Sequence, residues 1–180
     1  MHRRTLIATV GAIVGTGIGA AAYSSATVTR SATIGVSADN SALISLSPSP
    51  DFTQITADGQ DQLSINFSSL NGDSEFVFGD TTSPNTTYAF TITPSEANDI
   101  TLSYSVNNGD PITSNPNVQF EVFSWDEGTS TATSEATATE ETSGTFTPTA
   151  STTYYVVLTI DTTNVDTTTA DLSGDLTVSA

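Results

Sequence analysis

Carboxylates are the only abundant reactive groups in this chain, which has 20 Asp and Glu, one His, no Cys and no Lys. The single histidine is His2, at the extreme N-terminus. A Ser-His-Asp triad, an imidazole metal site, a Schiff-base lysine and a Ser-Lys pair therefore have nothing to build on in the body of the chain. Without cysteine there is no disulfide, iron–sulfur cluster, thiolate zinc site or thiol nucleophile. No Gly-x-Ser-x-Gly elbow or phosphate-cradling loop occurs. Paired carboxylates could hydrolyse a glycosidic bond, but no pair among the 20 stands out by its spacing. The expectation is a protein that is not an enzyme and needs no cofactor.

Calcium is the one metal whose ligands are present in quantity. Asp58-Gly59-Gln60-Asp61, Asp73-Ser74-Glu75 and the stretch from Asp161 to Asp166 bring oxygens close together. A hard cation takes six to eight such oxygens, and none of the three matches a complete binding loop. Asp161 and Asp166 are weak calcium candidates, and solvated turn residues are the expected reading. Two sequons, Asn66-Phe67-Ser68 and Asn85-Thr86-Thr87, are possible glycosylation acceptors. Asn66 alternates with Ile65 and Phe67 and should face outward, whereas Asn85 follows Pro84 in the more accessible setting of a turn.

The elements that would carry these residues read as strands. Apolar residues alternate with polar ones from Val28 to the end. The sets are Val28, Ala32, Ile34 and Val36; Ala42, Ile44 and Leu46; Leu63, Ile65 and Phe67; and Phe76 and Phe78. They continue with Tyr88, Phe90 and Ile92; Ile100, Leu102, Tyr104 and Val106; and Val118, Phe120 and Val122. Tyr154, Val156, Leu158 and Ile160 form the longest run, and Tyr155 and Val157 on its other face predict a central strand covered on both sides. Leu172, Leu176 and Val178 close the series. Turn signals such as Ser47-Pro48-Ser49-Pro50, Asn71-Gly72-Asp73 and Asn107-Asn108-Gly109-Asp110 separate the runs. Roughly nine short strands at this spacing predict an all-β, antiparallel β-sandwich. Pro94–Asn98 is compatible with one helical turn. Asp126–Ser143 has no large apolar residue and is expected to be a flexible Thr/Glu-rich loop.

Charge and hydropathy divide the chain. Arg3, Arg4 and Arg30 are its three basic residues, and every carboxylate follows residue 38. Arg3-Arg4 precedes an uncharged, glycine-containing apolar run to Ala22, with small residues at Ala20–Ala22 and Ser24–Ala26. This reads as a helical export signal, by the folded-protein or the general route, or as a retained anchor near the ~20 residues that span a bilayer. The expected organisation is a signal peptide or anchor over 1–25 and a β-sandwich domain over 26–180. The membrane is then a partner only through that first segment, if it stays uncleaved. The net charge of −17 argues against nucleic acid as a partner. A lysine-free acidic surface repels itself at low salt, and molar salt screens that repulsion to about 3 Å. The composition thus predicts a secreted or extracellular protein adapted to a hypersaline medium.

The head of the chain is similar to that of small exported haloarchaeal proteins related to the camelysin/TasA group. The likeness rests on the Arg-Arg leader, on Tyr23–Val36, on Asp39 and on Ala42–Pro48. A weaker likeness of pattern covers Tyr154–Ile160 and Leu172–Ser179. That group contains biofilm-matrix fibre subunits and archaeal bundling-pilus subunits. The resemblance implies a jelly-roll sandwich and self-assembly into a homopolymer by donor-strand complementation, in which the N-terminal strand of one subunit completes the sheet of the next. No protease motif accompanies the likeness.

The residues make such assembly physically reasonable. A leader cut near residue 25 would leave 26–38 as a free extended segment with Val28, Ala32, Ile34 and Val36 on one face and Arg30 interrupting the row. A strand of this kind pairs in its own sheet or fills an open edge elsewhere. Both possibilities stand on the sequence, as does the alternative function of a monomeric membrane-anchored surface binding domain.

Overall fold

The computed structural model describes residues 30–38, 43–57, 63–70, 74–106, 117–163 and 172–180. They form β1 (Arg30–Ala38), β2 (Ile44–Pro48), β3 (Ile55–Ala57), β4 (Leu63–Leu70), β5 (Glu75–Phe78) and β6 (Phe90–Pro94). After these come β7 (Ile100–Val106), β8 (Val118–Asp126), β9 (Thr131–Thr139), β10 (Gly144–Phe146), β11 (Tyr154–Asp161) and β12 (Gly174–Ser179). The described residues contain no helix. The expected leader over 1–25 lies outside them, and Pro94–Asn98 runs from the end of β6 into a bend rather than a helical turn.

The strands make two sheets. Sheet A has the order β10-β7-β12-β1-β4-β3, and sheet B has β2-β6-β11-β8-β9 with β5 also on β11. All pairings are antiparallel except β1 with β12, which is parallel. The period-two pattern explains why two layers form. In β7 and β12 every second side chain is buried, and Ile100, Leu102, Tyr104, Leu176 and Val178 meet Phe90, Phe120, Val156, Leu158 and Ile160 in one core. Aromatic contacts tie the layers together. Tyr104 of sheet A packs on Phe120 of sheet B at 5.5 Å, and Phe146 packs on Tyr154 at 4.9 Å. Burying each such side chain contributes about 1.5–3 kcal/mol.

β11 is the central strand of sheet B and is covered on both faces, as its sequence predicts. Val156 and Leu158 lie in the core, while Val157 is buried on the opposite side, outside the core cluster, as is Phe123. β5 and β6 pair with successive stretches of one edge of β11, Leu158–Asp161 and Tyr154–Val156. The chain between them makes an excursion that is closed by the Gly79–Tyr88 bridge. Gly79 has φ +124°, and a Cβ there would lie 2.9 Å from Val157 Cγ2, so only glycine fits. Tyr88 at the far end of the excursion packs on Tyr155 at 5.3 Å.

One expectation is corrected. Asp126–Ser143 is not a loop: β8 runs to Asp126, a turn occupies 127–130, and β9 returns antiparallel to it. The Asp126 carboxylate accepts the Gly128 N–H at 2.8 Å, and Ser130 takes the left-handed conformation at φ 54° to close the turn. β9 is an edge strand exposed along most of its length. Its apolar residues are only alanines, of which Ala136 and Ala138 pack on the core, and so its polarity disguised it. The short strands β3 and β10 were likewise absent from the expected set.

Candidate assembly strand and its slot

Residues 30–38 form β1 inside sheet A, between β12 and β4. Ile34 stands opposite Ile65 of β4 and Gly174 of β12. Val36 stands opposite Leu63 and Leu176, Ala38 opposite Val178, and Ala32 opposite Phe67. Arg30 pairs with Leu70, and the register shifts between Arg30 and Ala32. Val28 lies outside the described residues. Ile34 is fully buried, and so are the slot residues Ile65, Leu63, Leu176 and Val178. The structure thus brings the backbone of 30–38 and its wall strands together. It pairs the segment within its own chain, which is one of the two arrangements the sequence left open.

The parallel wall has a particular construction. At Gly174 an added Cβ would stand 2.2 Å from the Ser105 carbonyl oxygen and 2.7 Å from Tyr104 Cζ and Oη. Tyr104 crosses over this glycine and donates its hydroxyl hydrogen to the Leu172 carbonyl at 2.5 Å. The buried phenol is thereby satisfied, and the chain entering β12 is pinned beside Ile34.

A second polar device escaped sequence reasoning. The Glu140 carboxylate accepts the backbone N–H groups of Asn117 and, at 3.1 Å, Val118. Asn117 is buried, and its Nδ2 donates to the Asp161 carbonyl at 2.7 Å. Glu140 follows β9, so its carboxylate fastens the end of β9 to the start of β8, and the Asn117 side chain ties that junction to the end of β11. Charge-assisted bonds of this kind contribute about 1.5–3 kcal/mol. Glu140→Ala is therefore expected to lower unfolding free energy by about 1.5–3 kcal/mol in chemical denaturation, whereas exposed Glu141→Ala should change it by under about 0.5 kcal/mol.

The other predicted residues sit apart. Asp161 Oδ1 accepts from Thr163 N at 2.8 Å and Thr163 Oγ1 at 2.6 Å, a turn-capping role. Asp166 lies outside the described residues, and these contain no cluster of three or more His, Cys, Asp or Glu able to hold a metal. Asn66 is exposed on β4, facing outward as its alternation predicts, whereas Asn85, expected to be the more accessible of the two, is half-buried with its Oδ1 out of reach of solvent. Among titratable groups, hydrogen bonds from Thr82 and Ser83 hold Asp80 below the usual carboxylate range, and those from Gly128 and Thr129 do the same for Asp126. Burial, with Tyr88 and Glu127 nearby, pushes the Tyr155 phenol up.

What the geometry defines is a two-sheet, all-β domain whose first described strand is clasped between the fourth and the last. Compared with known proteins, the chain gives no significant match to any family, curated protein or solved structure.

Proposed function

We propose that this chain is a secreted or cell-surface structural subunit of an extracellular filament or biofilm matrix, a jelly-roll-like sandwich of the camelysin/TasA kind. In this reading it assembles by donor-strand complementation in high salt. The carrying observation is the place of β1. It is the first described strand in chain order and an interior strand of sheet A. Its onward connection leads to β2 in the other sheet. Exchange of β1 between copies therefore rethreads no other described strand, and it reproduces every contact seen within one chain. A copy whose β1 has left exposes two unpaired edges, on β4 and on β12, and loses the side chain at the fully buried position 34. Such an edge pair demands a strand from somewhere. Passing β1 always to the next subunit does not close, so a filament results.

The test is made on the native protein from molar salt. Mass spectrometry of its N-terminus together with electron microscopy should give a start between Tyr23 and Thr27 and long filaments. A retained Met1 with monomers only would overturn the proposal in favour of the anchored binding domain. The same reading predicts that the domain loosens as salt falls from molar to about 0.1 M, where screening reaches only ~10 Å. Circular dichroism melts across that range should show a steadily falling midpoint, and a midpoint indifferent to salt would refute the salt adaptation.

A further inference from the structure

Three buried side-chain atoms among the described residues have no hydrogen-bond partner: Asn85 Oδ1, Asn117 Oδ1 and Trp125 Nε1. Asn117 is the extreme case, because it is only 3% exposed, whereas Asn85 and Trp125 are half-buried. Native proteins leave few such atoms, and a water or an ion is the usual account of one. The orientation of the Asn117 amide is fixed. Nδ2 donates to the Asp161 carbonyl at 2.7 Å, and an exchanged amide would set oxygen against oxygen there. Oδ1 therefore turns away from Asp161 and is left as an acceptor.

Its surroundings are anionic. The Glu140 carboxylate accepts the N–H of this same asparagine and, at 3.1 Å, that of Val118. On the other side, the Asp161 N–H donates to the Asn117 carbonyl at 2.8 Å, and Asp161 stands opposite Glu75. Glu75, Asp161, Asn117 and Glu140 thus succeed one another across β5, β11, β8 and the end of β9. A carboxylate has about four lone-pair sites, so two N–H groups leave Glu140 with acceptor capacity. Its bond to the Asn117 N–H sets an anionic oxygen beside the residue that carries the orphan amide oxygen. Two oxygens so placed repel unless a cation lies between them.

We propose that Asn117 Oδ1 and the Glu140 carboxylate hold a sodium ion at the junction of β8, β9 and β11, with water completing its shell. Carbonyl-type oxygens can replace the hydration shell of an alkali ion. Calcium takes about six to eight oxygens with carboxylates prominent among them, and the described residues bring no three carboxylates together. One carboxylate and one amide oxygen match a single positive charge. Such a site is weak and fills where sodium is molar. The inference rests on the high-salt reading above only for that supply of ions, and the filament plays no part in it.

The experiment holds ionic strength at about 2 M, so that screening is constant, and exchanges sodium chloride for tetramethylammonium chloride around the full-length chain. An ion bound only by the folded state stabilises it in proportion to ln(1 + [Na+]/Kd). The wild-type melting midpoint should therefore rise by about 2 °C or more with sodium. Sodium NMR relaxation should show broadening in excess of that given by the acidic surface. Asn117→Leu and Asn117→Asp both lose the Nδ2 bond to Asp161, but only the aspartate keeps an oxygen in place. The leucine variant should lose the sodium response, and the aspartate variant should match or exceed wild type. A wild-type midpoint indifferent to the exchange overturns the proposal, as does a leucine variant that responds like wild type. Where the leucine variant does not fold, an aspartate variant with a weaker response than wild type overturns it instead. The two salt effects are separable. A midpoint that falls with total salt but ignores the exchange leaves screening standing and removes the site, whereas dependence on sodium alone does the reverse.

Discussion

Ile34→Asp is expected to unfold much of the soluble protein, and a wild-type peptide covering residues 26–38 is expected to restore it. Ile34 is fully buried between Ile65 and Gly174. Loss of the buried aliphatic group alone corresponds to about 2–5 kcal/mol. An uncompensated carboxylate in the same place adds several more, or stays protonated at a similar penalty. Against a total stability of about 5–15 kcal/mol, that is enough to drive β1 from its slot. The freed slot then has two open edges and an apolar floor formed by Leu63, Ile65, Leu176 and Val178. Under strand exchange the slot is built to take a strand from another molecule, so the peptide should raise the melting midpoint in a saturable way. The conservative Ile34→Val should lose only about 0.5–1.5 kcal/mol and still polymerise. A variant that the peptide cannot stabilise would mean that β1 belongs permanently to its own sheet, and donor-strand assembly would fall with it.

The strands that build the core were legible because burial forces alternation. β7 buries Ile100, Leu102 and Tyr104 and exposes Ser103 and Ser105, which is the pattern of its sequence. β11 announced its two covered faces through Tyr155 and Val157. β9 was illegible for the opposite reason. At the edge of sheet B it is exposed over most of its length, and the residues it turns to the core are alanines, so no large apolar residue marks it. Its turn is set by the Asp126 side chain and by Ser130, without the Asn-Gly or Asp-Gly pair that signals a hairpin. The parallel match of β1 to β12 was equally hidden. Register between strands so far apart in sequence is decided by the shape of the slot and leaves no local trace. Glu140 could have been suspected only as one acid among many, since its role depends on Asn117 and Val118 arriving beside it from another strand.

The construction of that slot yields the second large expected effect, at Gly174. An added methyl would stand 2.2 Å from the Ser105 carbonyl oxygen, which is backbone of the neighbouring strand β7, and 2.7 Å from the ring and hydroxyl of Tyr104. The carbonyl cannot retreat without opening the ladder that pairs Gly174 with Val106 and Asp175 with Ser105. Tyr104 cannot swing aside without giving up its hydrogen bond to Leu172 and its packing on Phe120. Overpacking of this kind costs about 1–3 kcal/mol, and loss of the buried tyrosine bond adds about 1 kcal/mol. Gly174→Ala should therefore lower stability by about 2–4 kcal/mol, although glycine-to-alanine changes usually stabilise strands by reducing chain entropy. Tyr104→Phe should cost about 1 kcal/mol alone. Combined with Gly174→Ala it should cost less than the sum, because it removes one of the atoms that clash. Because Gly174 faces Ile34 across the slot, the same alanine should also weaken the binding of the 26–38 peptide to the Ile34→Asp chain. Strict additivity in the double-mutant cycle would show that Tyr104 does not press on Gly174. A Gly174→Ala chain as stable as wild type would refute this packing of the C-terminal strand against β7, and with it the wall on which β1 is held.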